Sequence, residues 1–179
     1  MPDAFKIEIQ GLDELQRKFG SIPQQLTNKL DYVMEKGARQ IELRGNQLKP
    51  TDMGFLQVRV ISQPLHKEIT VDANYAAFVE FGTGTYASRY VATLPAEWQQ
   101  FALQFKGQSG GGTFADMVRH LQEWARRKGF NKPEQAGYAI AKSIIINGVR
   151  PHPFLYPAYF EVVPTLQADM QKVIDTFAI

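Results

Sequence analysis

The feature that most constrains this chain is one long amphipathic stretch. Between Gln24 and Leu48, residues Leu26, Leu30, Val33, Gly37, Ile41 and Leu48 fall on a single stripe of a 3.6-residue helix. A helix of that length must bury its stripe, so the rest of the chain has to supply a covering surface. Gly37 inside it costs about 1 kcal/mol against alanine, which points to close approach of another backbone. Ser21 and Pro23 read as its start, and Lys49-Pro50 as its end, since proline disfavours helical geometry in the residue before it.

The covering surface is legible on both sides. Phe5-Lys6-Ile7-Glu8-Ile9 alternates as a half-buried strand, and a short helix is expected from Gly11 or Asp13 to about Phe19. Leu56, Val58 and Val60 alternate with polar residues; Leu65, Ile69, Val71 and Ala73 do much the same after Ser62-Gln63-Pro64. These predict a β-hairpin with a somewhat long turn.

The string from Asn74 through Tyr75, Ala76, Ala77, Phe78, Val79, Glu80 and Phe81 to Gly82, Thr83 and Gly84 reads as a short helix stopped by glycine. Tyr75, Phe78, Val79 and Phe81 give it a buried face, and Gly82 and Gly84 can take the left-handed conformation that closes a helix. Glu80 is the one acid in this apolar turn. If buried it needs a partner, such as Arg59 or a neighbouring subunit; the alternative is plain exposure.

Past Thr85 the pattern becomes helical. A helix is expected from Leu94-Pro95 to about Phe105, then a glycine loop over 107–112, then a helix capped by Thr113. Phe114, Met117, Val118, Leu121, Trp124 and Ala125 share its apolar face, and Gly129 ends it. Pro133 opens another helix to about Ile146 whose expected buried stripe is Ile140, Ala141, Ile144 and Ile145. After an extended segment from Pro151 to Pro157, a final helix follows with Leu155, Ala158, Val162, Leu166, Met170, Val173 and Phe177 on one face. Pro164 should kink or restart it. The sum is an α+β fold: a small antiparallel sheet of three or four strands packed on a long helix, with a helical insertion and a C-terminal helix. The expected division is a core from residues 1–84 and 149–179 around an insertion from 85–148.

Composition narrows the chemistry. The chain has 179 residues, 44% hydrophobic, and no cysteine. Disulfides, thiolate metal sites and cysteine nucleophiles are excluded. No apolar run is long enough to span a bilayer, and the start, Met1-Pro2-Asp3, does not read as a secretory signal, so synthesis in the cytoplasm with no membrane partner is expected. Net charge is +2, but eight Lys or Arg face three acids between Lys106 and Arg150. That asymmetry suits weak, non-specific nucleic-acid contact through Arg119, Arg126, Arg127, Lys128 and Lys132, or simply a solvated helix face.

Catalytic patterns are missing. Gly107 and Gly112 have P-loop spacing and Thr113 follows, but the lysine that reaches the terminal phosphates is absent. His66, His120 and His152 form no ligand pair, so neither metal nor cofactor is expected. The serines lack a nucleophile-elbow context, and Asp52 between Pro50 and Gly54 is turn chemistry. A hydrolase would need Glu80, Asp52 and a histidine to converge.

Four pieces, in order, carry a resemblance: Gly11-Leu12-Asp13-Glu14-Leu15; Leu48-Lys49-Pro50-Thr51-Asp52-Met53-Gly54-Phe55-Leu56; the aromatic string ending at Gly84; and Pro151-His152-Pro153-Phe154-Leu155-Tyr156-Pro157-Ala158. Together they resemble the tail-component, or head–tail joining, family of tailed bacteriophages, also called neck or tail-completion proteins. The chain departs from the family pattern at Met53-Gly54-Phe55, where a threonine, the glycine and a polar residue are usual, and in the long segment between Gly84 and Arg150. The resemblance implies a non-enzymatic structural subunit of a phage or prophage virion, made in the host cytoplasm. It implies a homo-oligomeric ring, often a hexamer, that meets the connector or the tail tube. It also implies packing or interface roles for Pro50, Asp52, Gly54, Tyr75, Phe78, Glu80, Phe81, Gly82, Gly84, Pro153, Phe154 and Leu155, with the last two motifs forming a packing spine.

Overall fold

The computed structural model describes residues 5–8, 24–51, 56–73, 75–107 and 113–177. The expected short helix near 13–19, the Ser21–Pro23 start, the Asp52–Gly54 turn and most of the glycine loop lie outside these residues. The elements are β1 (Phe5–Glu8), α1 (Gln24–Leu48), β2 (Val58–Gln63), β3 (His66–Val71), α2 (Ala76–Phe81), α3 (Gly84–Val91), α4 (Ala96–Leu103), α5 (Phe114–Arg127), α6 (Pro133–Asn147) and α7 (Leu155–Phe177). The fold is α+β, as the periodicities require.

The chain divides into two compact units, Met1–Ala76 with Pro153–Ile179, and Ala77–His152. The division differs from the expected one at 84/85 and 148/149. It moves because the end of α2 bonds to the segment before Pro153 and so travels with the helical unit. The proline-framed segment is therefore shared: Phe154 and Leu155 are wholly buried in the first unit, while Pro151 and His152 belong to the second.

In the first unit the strand order is β1-β3-β2, both pairings antiparallel, with Ile7 opposite Ile69 and Val60 opposite Ile69 on the other side. α1 packs on β2, on β3 and along α7. Its buried residues are Leu30, Met34, Gly37, Ala38, Ile41 and Gly45, so the stripe is centred one step from the sequence reading. What approaches Gly37 is a side chain rather than a backbone: a Cβ there would lie 2.8 Å from Leu166 Cδ1 of α7. α7 continues through Pro164 instead of restarting. Leu155 and Ala158 before the proline and Leu166 after it are all buried, and that packing outweighs the missing hydrogen bond, about 3 kcal/mol.

The hairpin turn is tight, not long. Gln63 pairs with His66, leaving only Pro64 and Leu65 in the loop. Leu65 takes a left-handed φ of 56°, a conformation that costs a residue with a Cβ about 1–2 kcal/mol. Two contacts hold it there. Its N–H donates to Asp31 Oδ1 at 2.7 Å, and its side chain packs against the Leu30–Met34 cluster with Leu26, Met170, Val173 and Ile174. At the opposite end of the hairpin, Asn46 of α1 acts like a neighbouring strand. Its amide donates to Val58 O at 2.7 Å and accepts from Val58 N–H at 3.1 Å.

The second unit is helical. α5 opens on a capping box, Thr113 Oγ1 accepting from the Asp116 N–H while Asp116 Oδ2 accepts from the Thr113 N–H. α5 and α6 pack closely because Gly137 faces the Gln122 backbone, where a Cβ would sit 2.6 Å from Gln122 N. Gly137 and Ala141 form the buried side of α6; Ile145, expected to be buried, is 64% exposed.

Candidate functional site

The site is built where α2 ends. Gly82 has φ 73° and Gly148 has φ 88°, both in the region that favours glycine. Their backbones meet. The Thr83 N–H donates to Val149 O at 2.9 Å, the Val149 N–H donates to Thr83 Oγ1 at 2.7 Å, and the His152 N–H donates to Val79 O at 2.7 Å. Thr85 Oγ1 adds a bond to Asn147 O at 2.9 Å. A Cβ on Gly82 would fall 2.5 Å from Val149 O; one on Gly148 would fall 1.9 Å from Thr83 O. Two segments some 65 residues apart are thus clasped by their main chains, and only glycine fits at either contact.

An aromatic cluster supports the clasp. Phe81, nearly buried, has its ring 6.3 Å from Trp98, 6.1 Å from Phe101 and 6.4 Å from Phe105 between centroids. Beside it lies a cavity of about 590 Å³, whose walls include Phe78, Phe81, Val91, Leu103, Phe105 and Ile146. Thr83, Thr85 and Ser88 supply hydroxyls, and Lys106 is the one ionisable side chain in the lining. Such a space accepts apolar groups and offers one positive charge.

The expected site residues divide. Glu80 is wholly buried, so plain exposure is overturned, and no buried side-chain polar atom among the described residues lacks a hydrogen-bond partner. The Arg59 guanidinium is paired with Asp72 and bonded to Gln57. Tyr75 and Phe78 are half-buried, and Gly84 opens α3 rather than closing α2. That is because Thr83, in extended geometry, already stands at a helix start. Pro50 and Pro153 are half-buried; Asp52 and Gly54 are outside the described residues.

The basic residues are less available than their number suggests. Arg119 is held by Asp116 at 2.9 Å and Arg126 by Glu134 at 2.7 Å. Those bonds hold the Asp116 and Glu134 carboxyls below the usual range, Thr113 being the larger influence on Asp116 and Arg126 on Glu134. Arg127, Lys128 and Lys132 are exposed. Trp124 packs against Phe130, 5.7 Å between centroids, as a half-buried residue of the apolar face.

Sequence reasoning missed one cluster. Lys67 on β3 is almost fully buried, and its ammonium donates to Asp31 Oδ1 at 2.7 Å, Ser62 Oγ at 3.0 Å and Gln63 O at 2.9 Å. Ser62 Oγ in turn donates to Glu35 at 2.6 Å. Burial raises the Asp31 carboxyl, but bonds from Lys67 and the Leu65 N–H outweigh it and leave it lowered. The Ser62 bond is the main cause of the lowered Glu35 carboxyl. All three ammonium protons are used, so this is a clamp of the hairpin on α1. The available signal was the strand period, which puts Lys67 on the face of Ile69 and Val71.

Compared with family models, curated proteins and solved structures, the chain matches none. Among the described residues no group of His, Asp and Glu could hold a metal, and no helix is long and apolar enough to cross a membrane.

Proposed function

We propose that this chain is a structural, non-enzymatic subunit of a tailed-phage or prophage virion, placed at the head–tail junction or tail terminus. Its subunits assemble into a ring and meet the connector or the tail tube. The observation that carries the reading is the clasp. Two of the four motifs behind the resemblance, separated by the whole helical segment, meet where the His152 N–H donates to Val79 O, and the adjoining Thr83–Val149 bonds complete the closure. Gly82 is thereby explained as architecture, since a Cβ there would meet Val149 O and Pro151. The cavity beside them is lined mainly by apolar side chains and is large enough to receive an apolar group of a partner.

Of the five basic residues named for the weak-DNA alternative, Arg119 and Arg126 are held by acids, and Arg127, Lys128 and Lys132 are exposed. Phosphate contact by three side chains would be sequence-independent and salt-sensitive.

The test is genetic. Deleting the coding sequence from the phage genome that carries it should leave heads and tails that fail to join, seen as separate particles by electron microscopy. Infectious particles of normal form would overturn the reading.

A further inference from the structure

The helical unit carries an apolar patch that its own helices leave open. Tyr138, Lys142 and Ile145 follow at helical spacing on an exposed stripe of α6, 53% and 64% exposed at the two apolar positions, with the Tyr138 ring edge-on to Phe114 of α5 at 6.0 Å between centroids. Ile146, 64% exposed, and Leu103, 59% exposed, extend the patch to the mouth of the cavity, where Lys106 also stands. Four large apolar side chains are flanked by two lysines, and the acid one turn before Tyr138, Glu134, is paired with Arg126 at 2.7 Å. Apolar area of this kind marks a protein contact rather than a phosphate contact.

The complementary surface is on the same sequence. α7 exposes Phe160, 64% exposed, with its ring 5.8 Å from Tyr156 between centroids. The charged residues of α7 are Glu161, Asp169, Lys172 and Asp175, a net of −2. Lys172 is paired with Asp169 and Arg44 with Glu161, whereas Asp175 accepts from the neutral Gln171. The units differ in the same sense. Ala77–His152 holds nine Lys or Arg and five acids, a net of +4; the remainder has a net of −2.

We infer that the α6 patch of one copy receives α7 of a second copy, with the Tyr156–Phe160 pair seated against Ile146 and Leu103 at the cavity mouth, and the acids of α7 facing Lys142 and Lys106. The inference rests on the reading of the chain as a self-assembling subunit and names the surfaces it uses. The two surfaces are different, so the contact is heterologous: each copy offers an exposed patch and the exposed side of a helix to the next. Repetition closes a ring or extends a filament.

The chain has no cysteine, which makes the test direct. Ile146→Cys and Phe160→Cys variants are purified separately, mixed, and treated with a short bismaleimide. The mixture should give covalent dimer at several times the yield of either variant alone. No dimer in the mixture, or equal dimer in the single-variant samples, overturns the inference. A Phe160→Ala variant should keep the wild-type unfolding midpoint while its assemblies fall to lower mass in solution; unchanged assembly mass overturns it too. The outcomes separate from those of the functional reading. A wild-type oligomer without the cross-link removes this interface and leaves the subunit reading standing. A strong cross-link beside intact particles from the deletion strain does the reverse.

Discussion

The Cβ that any other residue would place at Gly148 falls 1.9 Å from the carbonyl oxygen of Thr83. At that distance neither backbone can keep its position, so glycine at 148 is a condition for the clasp. Gly148→Ala should cost more than about 3 kcal/mol, combining the φ of 88° with the clash. Gly129→Ala is the control. Its φ is 77° but nothing lies within 4 Å, so only the conformational cost of about 1 kcal/mol applies. Urea midpoints of the two variants check the difference; equal losses would show that the clasp carries no special constraint.

The aromatic cluster predicts a second outcome. Phe81→Ala should destabilise by about 3–5 kcal/mol, because a nearly buried ring is removed from contact with three others. Trp98, now 7% exposed, should gain water and shift its emission to the red. An unchanged spectrum in the folded variant would separate Trp98 from the cluster.

The Lys67 clamp should fail in acid. The Asp31 and Glu35 carboxyls are lowered in the folded chain, so their contribution is present above the ordinary carboxylate range and is lost as pH falls through the lowered values. Asp31→Asn should cost about 2 kcal/mol at pH 7, leaving the buried ammonium with a weaker acceptor. The gap between wild type and variant should close as pH drops below about 4. Denaturation across pH 3 to 7 reads this out, and a constant gap would refute it.

Duplex DNA should bind weakly at about 50 mM salt and be released by about 200 mM, since Arg119 and Arg126 already serve Asp116 and Glu134. Fluorescence anisotropy with a labelled duplex checks it. Binding that persists at the higher salt would restore the nucleic-acid alternative.

The sequence was most readable where one physical signal dominated. α1 ends where Pro50 places it, and Thr113 caps α5 as its position requires. It was least readable where tertiary contacts override local preference. Leu65 takes a turn position suited to glycine because Asp31 and the Leu30–Met34 cluster hold it, so the loop looked longer than it is. α3, eight residues of which none is completely buried, was not read as a helix of its own. Ile145 lies one turn beyond the buried Ala141 on nearly the same side of α6, and periodicity alone could not tell that the cover ends before it. Gly82 and the proline-framed segment stood out in the sequence, but Gly148 did not, and the pairing of Thr83 with Val149 is non-local and no spacing rule supplies it.

The central claim is that this chain is a building block of the virion. Purified particles of the phage that encodes it, examined by protein mass spectrometry and by electron cryo-microscopy of the junction, test that most directly. The account predicts that the chain is present in many copies per particle, with ring density at the junction fitting α1 beside its three-stranded sheet. Its absence from purified particles would contradict the account.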